Sequence, residues 1–155
     1  MTLAVYTYLD QHNIPYKKRS FPETTEKGAA QVAQALGFRA RQMVKTLIFT
    51  TAKGEHVLVM VGGDQSAKSG LLKKAIGSRN IKMASPAVVQ EISGYVVGSI
   101  PPFHWQPAGF RSFIEVSLLD ETELGVGTGQ WGREIIIAPH DLVKAAGATV
   151  VQLVP

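Results

Sequence analysis

"MVKTLIFTTAKGEHVLVMV", residues 43–61, is the stretch whose reading decides the fold. Two runs rich in β-branched and large apolar residues, 43–50 and 56–61, flank the short polar segment 51–55. Gly54 stands in that segment where a tight connection needs a positive φ angle, so the whole reads as a β-hairpin. Side chains alternate along a strand, which puts Lys45 on one face with Met43, Leu47 and Phe49, and Val44, Thr46 and Ile48 on the other. Both faces are largely apolar. A lysine in such a strand either carries its ammonium out to water at the strand's end or projects into a pocket as a fixed positive charge, and periodicity leaves both open.

Working outward, helices and strands alternate. Upstream, residues 2–12 space Leu3, Val5, Tyr6 and Leu9 as a helix does, residues 14–21 read as a strand, and 25–37 read as an Ala-rich helix with Thr24 or Thr25 as its cap and Gly37 as its stop. Downstream, 69–77 and 85–94 are short helices, each ended by a glycine, with a strand at 80–84 between them. The segment "YVVGSIPPFHWQPAGF", 95–110, reads as an apolar strand that breaks at Gly98 into a loop crowded with prolines and aromatics. Strands at 110–116, 123–127 and 133–138, a helix at 139–146 and a last strand at 148–154 complete an α/β (α+β) pattern. No repeat or linker is visible, and 155 residues with 45% hydrophobic and 18% charged content suit one domain spanning 1–155.

The composition excludes several classes of protein. No run of 18 apolar residues is present and the N-terminal stretch lacks a signal peptide's basic start and unbroken apolar core, so a cytoplasmic location is expected, with no membrane partner. The absence of cysteine removes disulfides, thiolate nucleophiles and cysteine-held zinc. His12, His56, His104 and His140 show no metal-ligand spacing, so neither a metal nor another cofactor is expected. Charge is uneven: thirteen Lys and Arg stand against five Asp and Glu through Lys82, and three against seven afterwards. The basic half suits a polyanion such as nucleic acid, although lysines on solvated helices produce the same count.

Two glycine patterns resemble nucleotide motifs and fail on context. "GVGTGQWG" matches GxGxxG at Gly127, Gly129 and Gly132, but a β-branched "REIIIA" follows where a helix is required, and only 23 residues remain. The glycines there read as a strand connection that lets another backbone or a ligand come close. "GGDQSAKSG" fits a phosphate loop except that Ala67 replaces the second glycine, so a strand-to-helix turn with Asp64 or Ser66 as cap is the plainer reading. No GxSxG elbow is present.

Taken together in this order, "VKTLIF", "GSIPPF" about fifty residues later and the closing "GVGTGQWGREIIIAPHDLVKAAGA" resemble the YbaK-like family, the prolyl-tRNA synthetase-associated or insertion domain. The resemblance covers essentially the whole chain. It implies a mixed sheet curled into a partial barrel with helices around it. It also implies a trans-editing deacylase that hydrolyses the ester of mischarged tRNA, Cys- or Ala-tRNA(Pro) or a related small amino acid. The partners so implied are the aminoacylated 3′ end of tRNA and prolyl-tRNA synthetase or another translation component. The family's strand lysine falls on Lys45 and its GxxxP loop on Gly98, Ser99, Ile100, Pro101 and Pro102. Lys45, Gly98 and Ser99 are then the expected catalytic residues. Met60, Ile100, Pro101, Pro102, Phe103, Gly127 and Gly129 are the expected substrate contacts, with Trp105 a further wall candidate. Backbone N–H groups of a proline-stiffened turn can stabilise the oxyanion formed when water attacks an ester. No acid–base pair is evident, so a ribose hydroxyl beside the ester is expected to position or activate the water. A module that binds the acceptor end or an aminoacyl ligand without cleaving it is the alternative reading. His104 lies near the loop without a role that the resemblance assigns.

Overall fold

A computed structural model of the chain describes residues 2–155. In chain order the elements are α1 (Ala4–Gln11), β1 (Lys17–Ser20), α2 (Ala29–Leu36), β2 (Lys45–Thr51), β3 (His56–Val61), α3 (Ser69–Ile76), β4 (Ile81–Met83) and α4 (Pro86–Ser93). After a long loop follow β5 (Arg111–Glu115), β6 (Leu124–Gly127), β7 (Arg133–Ile137), α5 (Pro139–Ala146) and β8 (Ala148–Val151), with short 3-10 turns at Ala40–Gln42 and Val116–Asp120.

The hairpin forms as the sequence requires. Gly54 has φ +84 in its turn, and β2 runs antiparallel to β3 with Lys45 opposite Val61 and Thr50 opposite His56. β5 adds to β3 in parallel and β8 adds to β5 in parallel, giving the five-stranded order β4-β2-β3-β5-β8. A separate antiparallel sheet has the order β1-β7-β6. The strands are thus divided between two sheets, tied where Met43 forms a parallel bridge to Gly125 and the Val44 N–H donates to the Gly125 carbonyl at 2.8 Å.

Both faces of the larger sheet are covered. Leu58, Met60 and Ile114 pack with Leu124, Val126, Ile135 and Ile137 of the smaller sheet and with Val5, Leu9 and Leu142 of α1 and α5. On the opposite face Phe49, Val57, Val59, Val61 and Phe113 meet Leu72 and Ile76 of α3. Each such fully buried side chain contributes about 1.5 to 3 kcal/mol of transfer free energy, which explains why β3 is a continuous apolar run rather than an alternating one.

Several local expectations are corrected. α2 starts at Ala29 behind Gly28, so neither Thr24 nor Thr25 caps it; the Thr25 N–H closes a turn onto Pro22 and its carbonyl accepts from the Trp131 indole at 3.2 Å. Neither Asp64 nor Ser66 caps α3, whose N-cap is Lys68; Asp64 is instead paired with Arg41. Residues 95–97 form no strand: the segment bends at once into the turn that closes from the Ser99 N–H to the Val96 carbonyl through Gly98. The 62–69 loop is also no phosphate cradle: a Cβ at Gly63 would lie 2.2 Å from the Ala40 carbonyl, so its glycines serve close packing against the chain itself.

Candidate active site

β4 covers only the second half of β2, pairing with Phe49–Thr51, and the Ala84 N–H extends that contact to the Ile48 carbonyl at 2.9 Å. At the other end of the same edge Val44 is bonded to Gly125. In an antiparallel strand alternate residues aim their N–H and C=O at the same side. Thr46, midway between Val44 and Ile48, therefore presents its main-chain donor and acceptor at a gap where no strand pairs with it. Its side-chain hydroxyl is buried without a hydrogen-bond partner among the described residues.

A cavity of about 450 Å³ opens at this gap. Its walls come from four places: Met43–Leu47 of the β2 edge, the turn at Val96–Ile100, Gly127 and Glu134 of the smaller sheet, and the start of α2 with Phe21, Val32 and Trp131. Lys45, half-buried at the first position of β2, lines it. The lysine also contributes to holding the Asp64 carboxyl below its usual range, although the hydrogen bond from Arg41 is the larger cause.

The turn at Val96–Ser99, which lines the same cavity as Lys45, is built by its glycine. The Ser99 N–H closes back onto the Val96 carbonyl at 3.3 Å, and Gly98, with φ +97, occupies the third position, where a four-residue turn of this kind requires a positive φ. The N–H groups of Gly98 and Ile100 have no acceptor among the described residues, which leaves them available to a ligand. The Ser99 carbonyl accepts from the Gly129 N–H at 2.8 Å, anchoring the turn to the loop after β6. The approach needs glycine at 127, where a Cβ would lie 2.8 Å from the Ser99 oxygen. Val96 and Val97 are 63% and 48% exposed, so the mouth of the cavity carries apolar side chains that the fold itself leaves uncovered.

The expected site residues divide accordingly. Lys45, Gly98, Ser99, Ile100 and Gly127 line one cavity. Five others do not. Met60 is fully buried in the core, Phe103 is buried and stacks on Tyr8 with ring centroids 5.6 Å apart, and the ring of Tyr95 covers Gly129. Pro101 and Pro102 are buried, their carbonyls accepting from the Trp105 indole at 2.6 Å and the Gln106 amide at 2.8 Å. The prolines and aromatics of the loop thus pack it down from behind rather than facing a ligand, and Trp105 belongs to that packing. His104, at φ +79, takes part in a 2.6 Å hydrogen bond with the Tyr95 hydroxyl, and burial lowers its pKa. It braces the ring that covers Gly129.

Glu134 is the residue that sequence reading missed. It sits directly opposite Gly127 in the β6–β7 pair, is 9% exposed, lines the cavity, and has no hydrogen-bond or ion-pair partner among the described residues. Burial pushes its carboxyl up to about 8. A clue was present: "REIII" places one acid inside an apolar strand, opposite a "GVG" whose glycines leave the facing surface bare.

The chain is similar to known proteins over most of its length. A profile described as aminoacyl-tRNA editing domain matches residues 23–145. EbsC of Enterococcus faecalis, named as a candidate Cys-tRNA(Pro)/Cys-tRNA(Cys) deacylase, is 25% identical over 88% of this chain and 83% of its own length. The multifunctional Ser/Thr-tRNA deacylase ProXp-y of Escherichia coli is 32% identical over 72% of this chain and 66% of its own. The crystal structure of a candidate trans-editing enzyme for prolyl tRNA synthetase superposes with a TM-score of 0.85 at 26% identity, covering 97% of this chain and 94% of that one. A proline–tRNA ligase of Maridesulfovibrio salexigens is 34% identical over 68% of this chain, which corresponds to 18% of the ligase. With the profile spanning most of its length and the same fold recurring in its relatives, the chain belongs to the aminoacyl-tRNA editing domain family.

Proposed function

We propose that the chain is an aminoacyl-tRNA deacylase that acts in trans on the ester of a mischarged tRNA. The observation that carries this reading is the placement of Lys45 and the free N–H groups of the Gly98 turn on one cavity at an unpaired strand edge. The terminal adenosine with its acyl group enters at Val96 and Val97, and the ester carbonyl faces the turn. As water attacks, charge grows on that oxygen, and the N–H groups of Gly98 and Ile100 stabilise it; one donor of this kind is worth about 2.7 to 4 kcal/mol. Lys45 supplies a fixed positive charge toward the same centre or the adjoining phosphate. The ribose hydroxyl next to the ester positions the water, because no pair of hydrogen-bonded acid and base faces the cavity among the described residues.

The acyl pocket is lined by Phe21, Val32, Met43 and Ile100, which suits a small side chain, with Cys- or Ala-tRNA(Pro) the substrates in view. Discrimination among small apolar groups amounts to about 1 to 3 kcal/mol per methylene. The relatives' names point to cysteine on one side and to serine and threonine on the other. The test is deacylation over a panel of tRNAs carrying alanine, cysteine, serine or threonine, with the terminal ribose intact or lacking the hydroxyl beside the ester. Rapid loss of one mischarged pair, slowed by removing that hydroxyl, is expected. Tight binding with no turnover on any substrate would replace the enzyme with a module that only holds the acceptor end.

A further inference from the structure

Glu134 poses a problem that the reaction above does not use. A buried carboxyl normally has hydrogen-bond partners, because leaving it without them costs several kcal/mol. Here the side chain lines an open cavity and meets none among the described residues. The space it occupies is made for it: β6 has glycine at 125 and 127 on the same face, and a Cβ at 125 would lie 3.2 Å from Glu134 Oε2. The charged groups that share the cavity are Lys27 from the segment before α2, Lys45 from β2 and the neighbouring Arg133. None is in ion-pair contact with the carboxylate, and the Lys27 ammonium lies 3.7 Å over the Trp131 ring instead. The pocket thus holds an acid with no cation in contact with it among the described residues.

We infer that Glu134 binds the α-ammonium group of the acylating amino acid, so that the cavity takes aminoacyl esters with a free amine and refuses N-acylated ones. The inference rests on the deacylase reading for its ligand. In an aminoacyl ester the amine is on the carbon next to the carbonyl, so an acyl group whose carbonyl faces the Gly98 turn must hold its amine inside the same cavity. That amine is the one cationic group such a ligand brings; its phosphates repel a carboxylate, and its ribose hydroxyls offer hydrogen bonds but no positive charge. Ion pairing re-ionises Glu134: the carboxyl gives its proton to solvent as the ammonium arrives, so the pair is neutral and the released proton carries the balancing positive charge. An N-acyl group removes the cation and leaves the carboxyl facing an amide, so peptidyl and formylated chains are left untouched.

The test uses amide-linked 3′-aminoacyl-adenosine analogues of alanine, cysteine and serine, which cannot be cleaved, and their N-acetyl counterparts. Binding is measured by titration calorimetry at about pH 6.5 in buffers of different ionisation enthalpy, where the free amine is protonated. The wild-type chain should bind the best free-amine analogue at least about tenfold more tightly than its N-acetyl form, a difference of about 1.4 kcal/mol, and release about one proton. Glu134→Gln, of the same shape, should bind the two forms within about threefold, about 0.65 kcal/mol, and release no proton. Equal binding of both forms by the wild type, a preference or proton release that survives in Glu134→Gln, or failure of every analogue to bind overturns the inference. Because the analogues are not cleaved, the result separates from the proposed activity. A chain that hydrolyses N-acetylated aminoacyl-tRNA as fast as the free form remains a deacylase and loses only this assignment.

Discussion

Replacing Glu134 by glutamine should make the protein more stable at neutral and alkaline pH, and the size of the effect follows from burial. The carboxyl moves from an ordinary value of 4.5 to about 8 because the folded chain strips water from it. A group whose folded pKa is raised binds more protons in the folded state, so its favourable contribution is complete below the unfolded value and lost as pH rises through the folded one. At about 1.4 kcal/mol per pH unit, the interval corresponds to about 5 kcal/mol across the full titration and about 3 kcal/mol by pH 7. Glutamine keeps the volume and does not titrate. The stability difference between Glu134→Gln and wild type should therefore be small near pH 4 and grow with pH, reaching a plateau above about pH 8 with the variant more stable. Urea unfolding at a series of pH values reads this directly; at a slope of about 2 kcal/mol per molar urea, the plateau separates the midpoints by about 2.5 M. A difference that does not change with pH would show that the carboxyl is solvated or paired in the native protein, and the reasoning about the empty counter-ion position would fail with it.

Two more substitutions probe the supports of the cavity. Gly127→Ala puts a methyl group 2.8 Å from the Ser99 oxygen, so the turn must retreat; deacylation should fall at least about tenfold for a stability loss of about 1 to 3 kcal/mol, and unchanged turnover in a folded variant would show that the turn's position does not matter. Glu115 is 1% exposed; burial raises its pKa, but N–H groups of Ser117, Leu153 and Val154 and the Ser117 hydroxyl together hold it below the usual carboxylate range. Its contribution is present above the ordinary value of 4.5 and lost as pH falls through the lowered one, so Glu115→Gln should cost about 3 kcal/mol at pH 7 and flatten the acid limb of a pH–stability curve. Rapid exchange of the Leu153 amide should accompany that loss, and full protection there would contradict it.

Much of the fold was legible because local signals agreed with tertiary packing. Gly54 between two apolar runs specified the hairpin, and the glycines at 37, 77, 94 and 147 end their helices with a left-handed residue. The errors lie where long-range contacts decide. Thr24 and Thr25 look like caps, but the Trp131 indole about a hundred residues away takes the Thr25 carbonyl and keeps the segment in turns. Tyr95, Val96 and Val97 have strand propensity, but the turn at Gly98 and the packing of the Tyr95 ring over Gly129 take the segment instead. At the site, Lys45 is visible as a cation in an apolar strand, while the core positions of Met60 and Phe103 are not legible, because an apolar residue's type does not say which side of a wall it faces. Glu134 escaped because an isolated acid in a short strand resembles a solvent-facing position; only the register opposite Gly127 brings it inside.

The most direct measurement is single-turnover hydrolysis of whichever mischarged tRNA the wild type cleaves fastest, compared with Lys45→Ala under the same conditions. The two proteins should have the same circular dichroism spectrum and nearly the same unfolding midpoint, since Lys45 starts a strand edge and forms no ion pair among the described residues. The variant's rate should be lower by at least about a hundredfold, equivalent to about 2.7 kcal/mol of lost transition-state stabilisation. A folded Lys45→Ala protein that hydrolyses the ester at the wild-type rate would contradict the placement of the reaction in this cavity.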